Sequence, residues 1–160
     1  MPEKETRGRA RRDKRKGKAR STQAGEFVRE EIHHIREGRH GARSTRQAIA
    51  IGLNKARRAG VKLEAPKGAS KKTRQSAKSA AAHAGTRPSA RRSRAVRSAL
   101  RHEGTSPASH AALSRQAKSA ARHRGAASRS RAAQKALRTK GPAGRRAAAR
   151  KAARTRLRRG

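Results

Sequence analysis

The sequence contains no cysteine, no tryptophan and no tyrosine, and Phe27 stands alone among the large aromatics. Without cysteine there are no disulfides, no thiolate metal sites and no thiol nucleophiles, a composition that fits a reducing compartment. Without aromatics there is no platform on which single-stranded bases could stack, which argues against the RNA-recognition and oligonucleotide-binding folds. A conventional core is also hard to build from so little bulk, so any packed region is expected to be small. No apolar run approaches a membrane span or the apolar region of a signal peptide, and a cytoplasmic location follows as the expectation.

Negative charge is scarce as well. Nine acidic residues face 47 Lys and Arg, leaving a formal net charge of +38 on 160 residues. Such a chain repels itself when compact and alone, and it favours a polyanionic partner. The imbalance is uneven: residues 1–64 hold 19 basic and 8 acidic residues, whereas residues 65–160 hold 28 basic residues and Glu103 as the sole acid. Arginine outnumbers lysine 33 to 14. Its planar fork suits bidentate contact with phosphate, which tilts the expected partner toward nucleic acid.

What the chain does contain is a recurring cassette of Ser or Thr, then Arg, then an Ala-rich basic run, then Gly. It appears at Ser93 to Gly104, Ser114 to Gly125 and Ser130 to Gly141, with looser forms from Thr73 to Gly85 and Thr45 to Gly60. A hydroxyl residue can cap a helix start and glycine supplies the left-handed residue after its end, so each cassette reads as a short helix. The unequal spacings and the lack of a shared packing face argue against a stacked solenoid. Arg94, Arg97 and Arg101 share one helical face, as do Arg115, Lys118 and Arg122, and again Arg131, Lys135 and Arg138. Twelve helical residues span roughly 17 Å, enough to follow several phosphates.

The expected architecture is all-α, with no β-sheet. Residues 1–24 read as a disordered basic arm, a solvated tail or an arm that tracks phosphates, 25–63 as a helical hairpin, 64–72 as a linker around Pro66 and Gly68, 73–141 as the helical cassettes and 142–160 as a basic tail. In the hairpin, Phe27, Val28, Ile32 and Ile35 form one stripe and Ala48, Ile49, Leu53 and Ala56 another, with Ser44 or Thr45 as the second helix's cap and Val61 and Leu63 folding back. Beyond it, Pro88 and Pro107 stand near helix starts, and Pro142 blocks continuation of the third cassette. The cassettes are expected to form fully when phosphates neutralise their repulsion.

The run Arg46-Gln47-Ala48-Ile49-Ala50-Ile51-Gly52-Leu53, with Glu26 to Glu31, Arg36-Glu37-Gly38 and Lys55 to Gly60, resembles a small bacterial domain family of unknown function with a Gln-Ala-Ile-Ala-Ile-Gly core. The resemblance covers residues 25–63 and implies no activity. The Ala/Arg/Lys-rich remainder resembles, in composition, the tails of bacterial linker-histone-like nucleoid proteins, although it prefers Arg and lacks Pro-Ala-Lys-Lys tetrads. That likeness implies DNA binding as a class and no particular site.

Chemistry beyond binding has little support. Seven histidines invite a metal reading, and one of His33 and His34 with His40 can in principle hold zinc, but no cysteine or well-spaced carboxylate completes the set in the sequence. His83, His102 and His123 precede cassette glycines and read as helix-end caps. No Ser/His/Asp arrangement and no Walker-type loop is present, so neither catalysis, nor a cofactor, nor a metal is expected.

Phosphate recognition remains. Arg46 lies in the first turn of its helix, where backbone amides face outward, and Lys55, Arg57 and Arg58 lie in later turns, as flanking contacts or as a merely solvated face. Arg145, Arg146, Arg150 and Lys151 extend the basic surface into the tail. The sequence therefore predicts a histone-like, nucleoid-associated protein that binds double-stranded DNA without base specificity and compacts it, residues 25–63 serving for docking or self-association. The alternatives are an RNA- or ribosome-associated protein, or an interaction module whose acidic face, Glu26, Glu30, Glu31 and Glu37, recruits a basic partner or the chain's own basic segments.

Overall fold

The computed structural model describes residues 2–66, 68–87 and 89–158, without the side chain of Lys140. Pro88 and Arg159 lie outside the described residues. The described chain is all helical: α1 (Lys4–Arg15), α2 (Arg20–Arg36), α3 (Thr45–Arg58), α4 (Lys71–Ala82), α5 (Ala90–Arg101), a 3-10 turn (Ser106–Ala108), α6 (His110–His123) and α7 (Gly125–Leu157). It divides into two compact units, Met1–Gln116 and Ala117–Gly160. The division thus falls far beyond the linker expected at 64–72, because segments of the cassette region join the first unit.

Helices α2 and α3 pack in direct backbone contact at Gly52. A Cβ there would meet the Cα of Val28 at 2.7 Å, so the Ile-Gly-Leu step of α3 permits an approach that no larger residue allows. One apolar patch gathers Ala10, Ala24, Phe27, Ala56 and Val61, flanked by Leu53 and Leu63. A second gathers Ile32, Ile35, Ala42, Ala48 and Ala108, flanked by Val28 and Leu113.

The arm expected at residues 1–24 is instead a helix packed on α2. Helix α1 has no large apolar face to reveal it; it buries Thr6, Ala10 and Asp13, small residues at helical spacing that let two helices come close. Polar partners complete the docking. Arg9 Nε donates to Glu26 at 2.8 Å, the Glu3 amide donates to the carboxylate of Glu30, and Lys18 pairs with Asp13 at 2.7 Å. The acidic face of α2, read as a lure for basic segments, is covered in part by the chain's own N-terminal helix.

Residues 100–113 are the second unexpected part of this unit. The Gly41 amide donates to the carbonyl of Leu100 at 2.8 Å and the Ala42 amide to that of Gly104 at 3.0 Å. A Cβ on Gly41 would lie 1.8 Å from the Glu103 carbonyl oxygen, so glycine is obligatory there. Thr45 Oγ1 donates to Pro107 O, and Arg36 Nε to Ala108 O, which fixes the 3-10 turn over α2 and α3. Helix α4 also packs, burying Ala77 and Ala80, and the Gly85 amide donates to Arg58 O at 2.9 Å.

Helix starts differ from the cassette reading in a consistent way. Ser70, Ser89 and Ser109 accept the N3 amides of α4, α5 and α6, so the caps precede the expected Thr73, Ser93 and Ser114, which lie inside the helices. Ser44, not Thr45, caps α3 by accepting the Gln47 amide. Gly60, Gly85, Gly125 and Gly141 take the positive φ assigned to them, whereas Gly104 does not, its carbonyl being turned to Ala42. Gly141 also breaks α7 before Pro142, with φ 61° and ψ 178°.

In Ala117–Gly160, no described residue is buried. Helix α7 leaves Leu137 and Leu157 49% and 83% exposed. Its regularity comes from local hydrogen bonds and the helix preference of Ala and Arg alone.

Candidate nucleic-acid interface

A phosphate-binding surface needs cations that are exposed and not already paired. Most acids of the first unit are internally matched. Glu26 pairs with Arg9 and Arg29, Glu37 with Arg39 and His33, and Glu3 with Arg39 and His34. The His34 hydrogen bond, followed by that of Arg39, holds the Glu3 carboxyl below the usual carboxylate range. Glu30 and Glu31 are buried beside Lys55.

This internal matching removes two residues assigned to the interface from sequence. Lys55 is held by Glu30 and Glu31 and is not free for phosphate. Arg57 is 6% exposed and donates to Leu63 O, Asn54 Oδ1 and Glu64 O, tying the segment after α3 to the helix. Burial lowers its pKa from the ordinary guanidinium value. Arg58 is half-buried and donates to Thr86 O at 3.0 Å. Arg46 is exposed and its Nε donates to Gln116 Oε1 at 3.4 Å, while Ser44 takes the Gln47 amide at the helix start beside it. Helical period alone cannot tell a solvated cation from one drawn inward by a carboxylate on a neighbouring helix.

The cassette residues lie as expected on the surface. Arg94, Arg97 and Arg101 of α5 line a shallow hollow with Ser98 and His102. Arg115, Lys118 and Arg122 are exposed on α6, and Arg131, Lys135, Arg138, Arg145, Arg146, Arg150 and Lys151 on α7. Arg146, Arg150, Lys151 and Arg154 border one continuous strip of α7. Among the described residues none of these cations has a carboxylate partner. His83 Nδ1 meets Ser79 O at 2.8 Å, the helix-end role assigned to it.

The structure gathers cations of the arm, expected to be disordered, into one groove. Arg7, Arg11 and Lys14 line one side of a groove of about 340 Å³, with Arg20 from the start of α2 and Lys62 beyond α3. Ala10, Gln23, Phe27 and Val61 line it too, and no acidic residue does. Five cations thus converge over a packed floor, where a phosphate can be met from several directions. The i, i+4, i+7 spacing of Arg7, Arg11 and Lys14 was the available signal, once α1 is known to be a helix. Neither a family model, nor a curated protein, nor a solved structure matches this chain.

Proposed function

We propose that the protein binds nucleic acid through its phosphates, duplex DNA before other forms, and that it neutralises and compacts the duplex without reading bases. The observation that carries this reading is the separation of charges. The first unit sets most of its acids against its own cations, and Ala117–Gly160 presents 16 basic residues with no acidic one. Helical strips such as Arg146, Arg150, Lys151 and Arg154 meet a backbone of regularly spaced phosphates, while the groove of Arg7, Arg11, Lys14, Arg20 and Lys62 offers a second contact. Two separate cationic surfaces on one chain can hold two duplex segments and so bridge them. The scarcity of aromatic and amide side chains at these surfaces supports phosphate contact over base readout.

A mobility-shift titration tests this directly. The chain is expected to retard duplex DNA of any sequence, with affinity falling about 10³- to 10⁵-fold between 50 and 200 mM salt if 6–10 phosphates are contacted. Competition among duplex DNA, duplex RNA and ribosomal RNA in the same buffer ranks the partners. Failure to shift duplex DNA at low salt, or a flat salt response, would overturn the reading.

A further inference from the structure

Glu31 is the most buried carboxylate of the chain, with a side chain of 0% exposure, and neither of its oxygens accepts a hydrogen bond of regular geometry. Lys55 Nζ lies against Oε2. Oε1 faces the Nε2 of His40 at 3.3 Å. The other ring nitrogen of His40, Nδ1, lies 3.0 Å from the carbonyl oxygen of Gly41. A carbonyl can only accept, so Nδ1 carries a proton; Nε2 then either bears a second proton donated to Oε1 or, in the neutral ring, turns a lone pair toward that oxygen. Either way a positive centre, a proton or a metal ion, belongs between the two atoms.

His34 lies one turn beyond Glu31 on α2, at i+3, and is buried as well. Its Nε2 is 2.9 Å from the carboxylate of Glu3, and a neutral ring donating there keeps its lone pair on Nδ1. One donor atom from each of Glu31, His34 and His40 lies within 4.8 Å of the others. Around a tetrahedral zinc with bonds of about 2.1 Å, donors stand roughly 3.4 Å apart, so the Oε1–Nε2 edge at 3.3 Å already fits and no other edge needs to close by more than about 1.4 Å.

We propose that Glu31, His34 and His40 form a binding site for a divalent transition metal, with zinc as the ion that suits two imidazoles and one carboxylate. The carboxylate absent from the sequence reading is supplied by Glu31 at helical spacing. The outer partners match what metal-bound histidines use, a carboxylate for His34 and a backbone carbonyl for His40, each fixing a tautomer. Lys55 holds Oε2 and leaves Oε1 to ligate. Three protein donors leave a fourth position for water. Because the donors come from α2 and from the loop that precedes α3, the ion would lock that loop onto α2.

The test is titration of the full chain, free of nucleic acid, with Co(II) followed by visible absorption, and then displacement by Zn(II). One Co(II) per chain with the absorption of a four-coordinate site is expected, and zinc is expected to raise the thermal midpoint. The double variant His34→Gln/His40→Gln is expected to lose at least about tenfold in affinity. The triple variant His83→Gln/His102→Gln/His123→Gln is expected to keep it. Should the double variant lose its helical circular dichroism, His40→Gln alone decides, since it alters a loop residue. Absence of stoichiometric uptake would leave Glu31 and His40 as a protonated ion pair and overturn the proposal. So would a folded ligand variant that binds as tightly as the parent chain.

Discussion

The two units of this chain obey opposite rules. Met1–Gln116 carries all nine acidic residues and sets most of them against its own cations, whereas Ala117–Gly160 carries no acid and no buried residue among those described. The first unit shows how a fold can be built with a single Phe: small residues let helices touch, and ion pairs between helices supply what apolar bulk does not. In the second, helix is cheap to specify locally and has nothing to pack against. Charge that is matched inside a fold gives structure; charge left unmatched on a helix surface is available to a partner.

Changing the unmatched strip gives the largest expected effect on binding. Replacing Arg146, Arg150, Lys151 and Arg154 by Gln is expected to flatten the salt slope by about 3–4 and to weaken duplex binding about a thousandfold near 0.15 M salt, if each contacts a phosphate. Denaturant unfolding of the first unit is expected to stay unchanged. A quadruple variant that binds as tightly as the parent chain would instead erase the contrast.

The complementary break lies in the core. Phe27 is 1% exposed in the first apolar patch, and Phe27→Ala is expected to destabilise the first unit by about 3–5 kcal/mol in urea unfolding. Helicity of residues 117–158 is expected to survive, because nothing in that unit rests on Phe27.

A smaller loss is expected from Gly52→Val. The added side chain must push α3 off the backbone of Val28, at a cost of about 1–3 kcal/mol on the same unfolding curve. The smallest concerns the α1 contact: Arg9→Ala removes a partly exposed ion pair with Glu26 and is expected to cost about 0.2–1 kcal/mol, with a loss that shrinks at high salt. Together these separate packing from charge within the unit that uses both.

The sequence carried the all-α class and the apolar stripes of α2 and α3, because 3.6-residue periodicity is local. It also carried the glycines that end helices, since a positive φ is a property of one residue. Three things were hidden for one physical reason, dependence on partners distant in the chain. Helix α1 buries only Thr6, Ala10 and Asp13, and the anchors Glu26 and Glu30 lie on another helix. Residues 100–113 attach through backbone groups of Gly41, Ala42, Gly104 and Pro107, which leave no pattern in side-chain type. Lys55 and Arg57 looked like Arg94 or Arg131 in composition and differ only in what surrounds them. The cassette caps were misplaced by three to five residues because serine is abundant enough to offer several candidates per helix.

The contrast between the units meets its most direct test in hydrogen exchange of the full chain with and without duplex DNA at low salt. Amides of α2 and α3 are expected to be protected in both samples, and those of residues 117–158 to exchange fast alone and slow markedly when DNA is added. Equal exchange of residues 117–158 in the two samples, with new protection confined to α2 and α3, would contradict the division between a self-neutralised fold and a surface that awaits a polyanion.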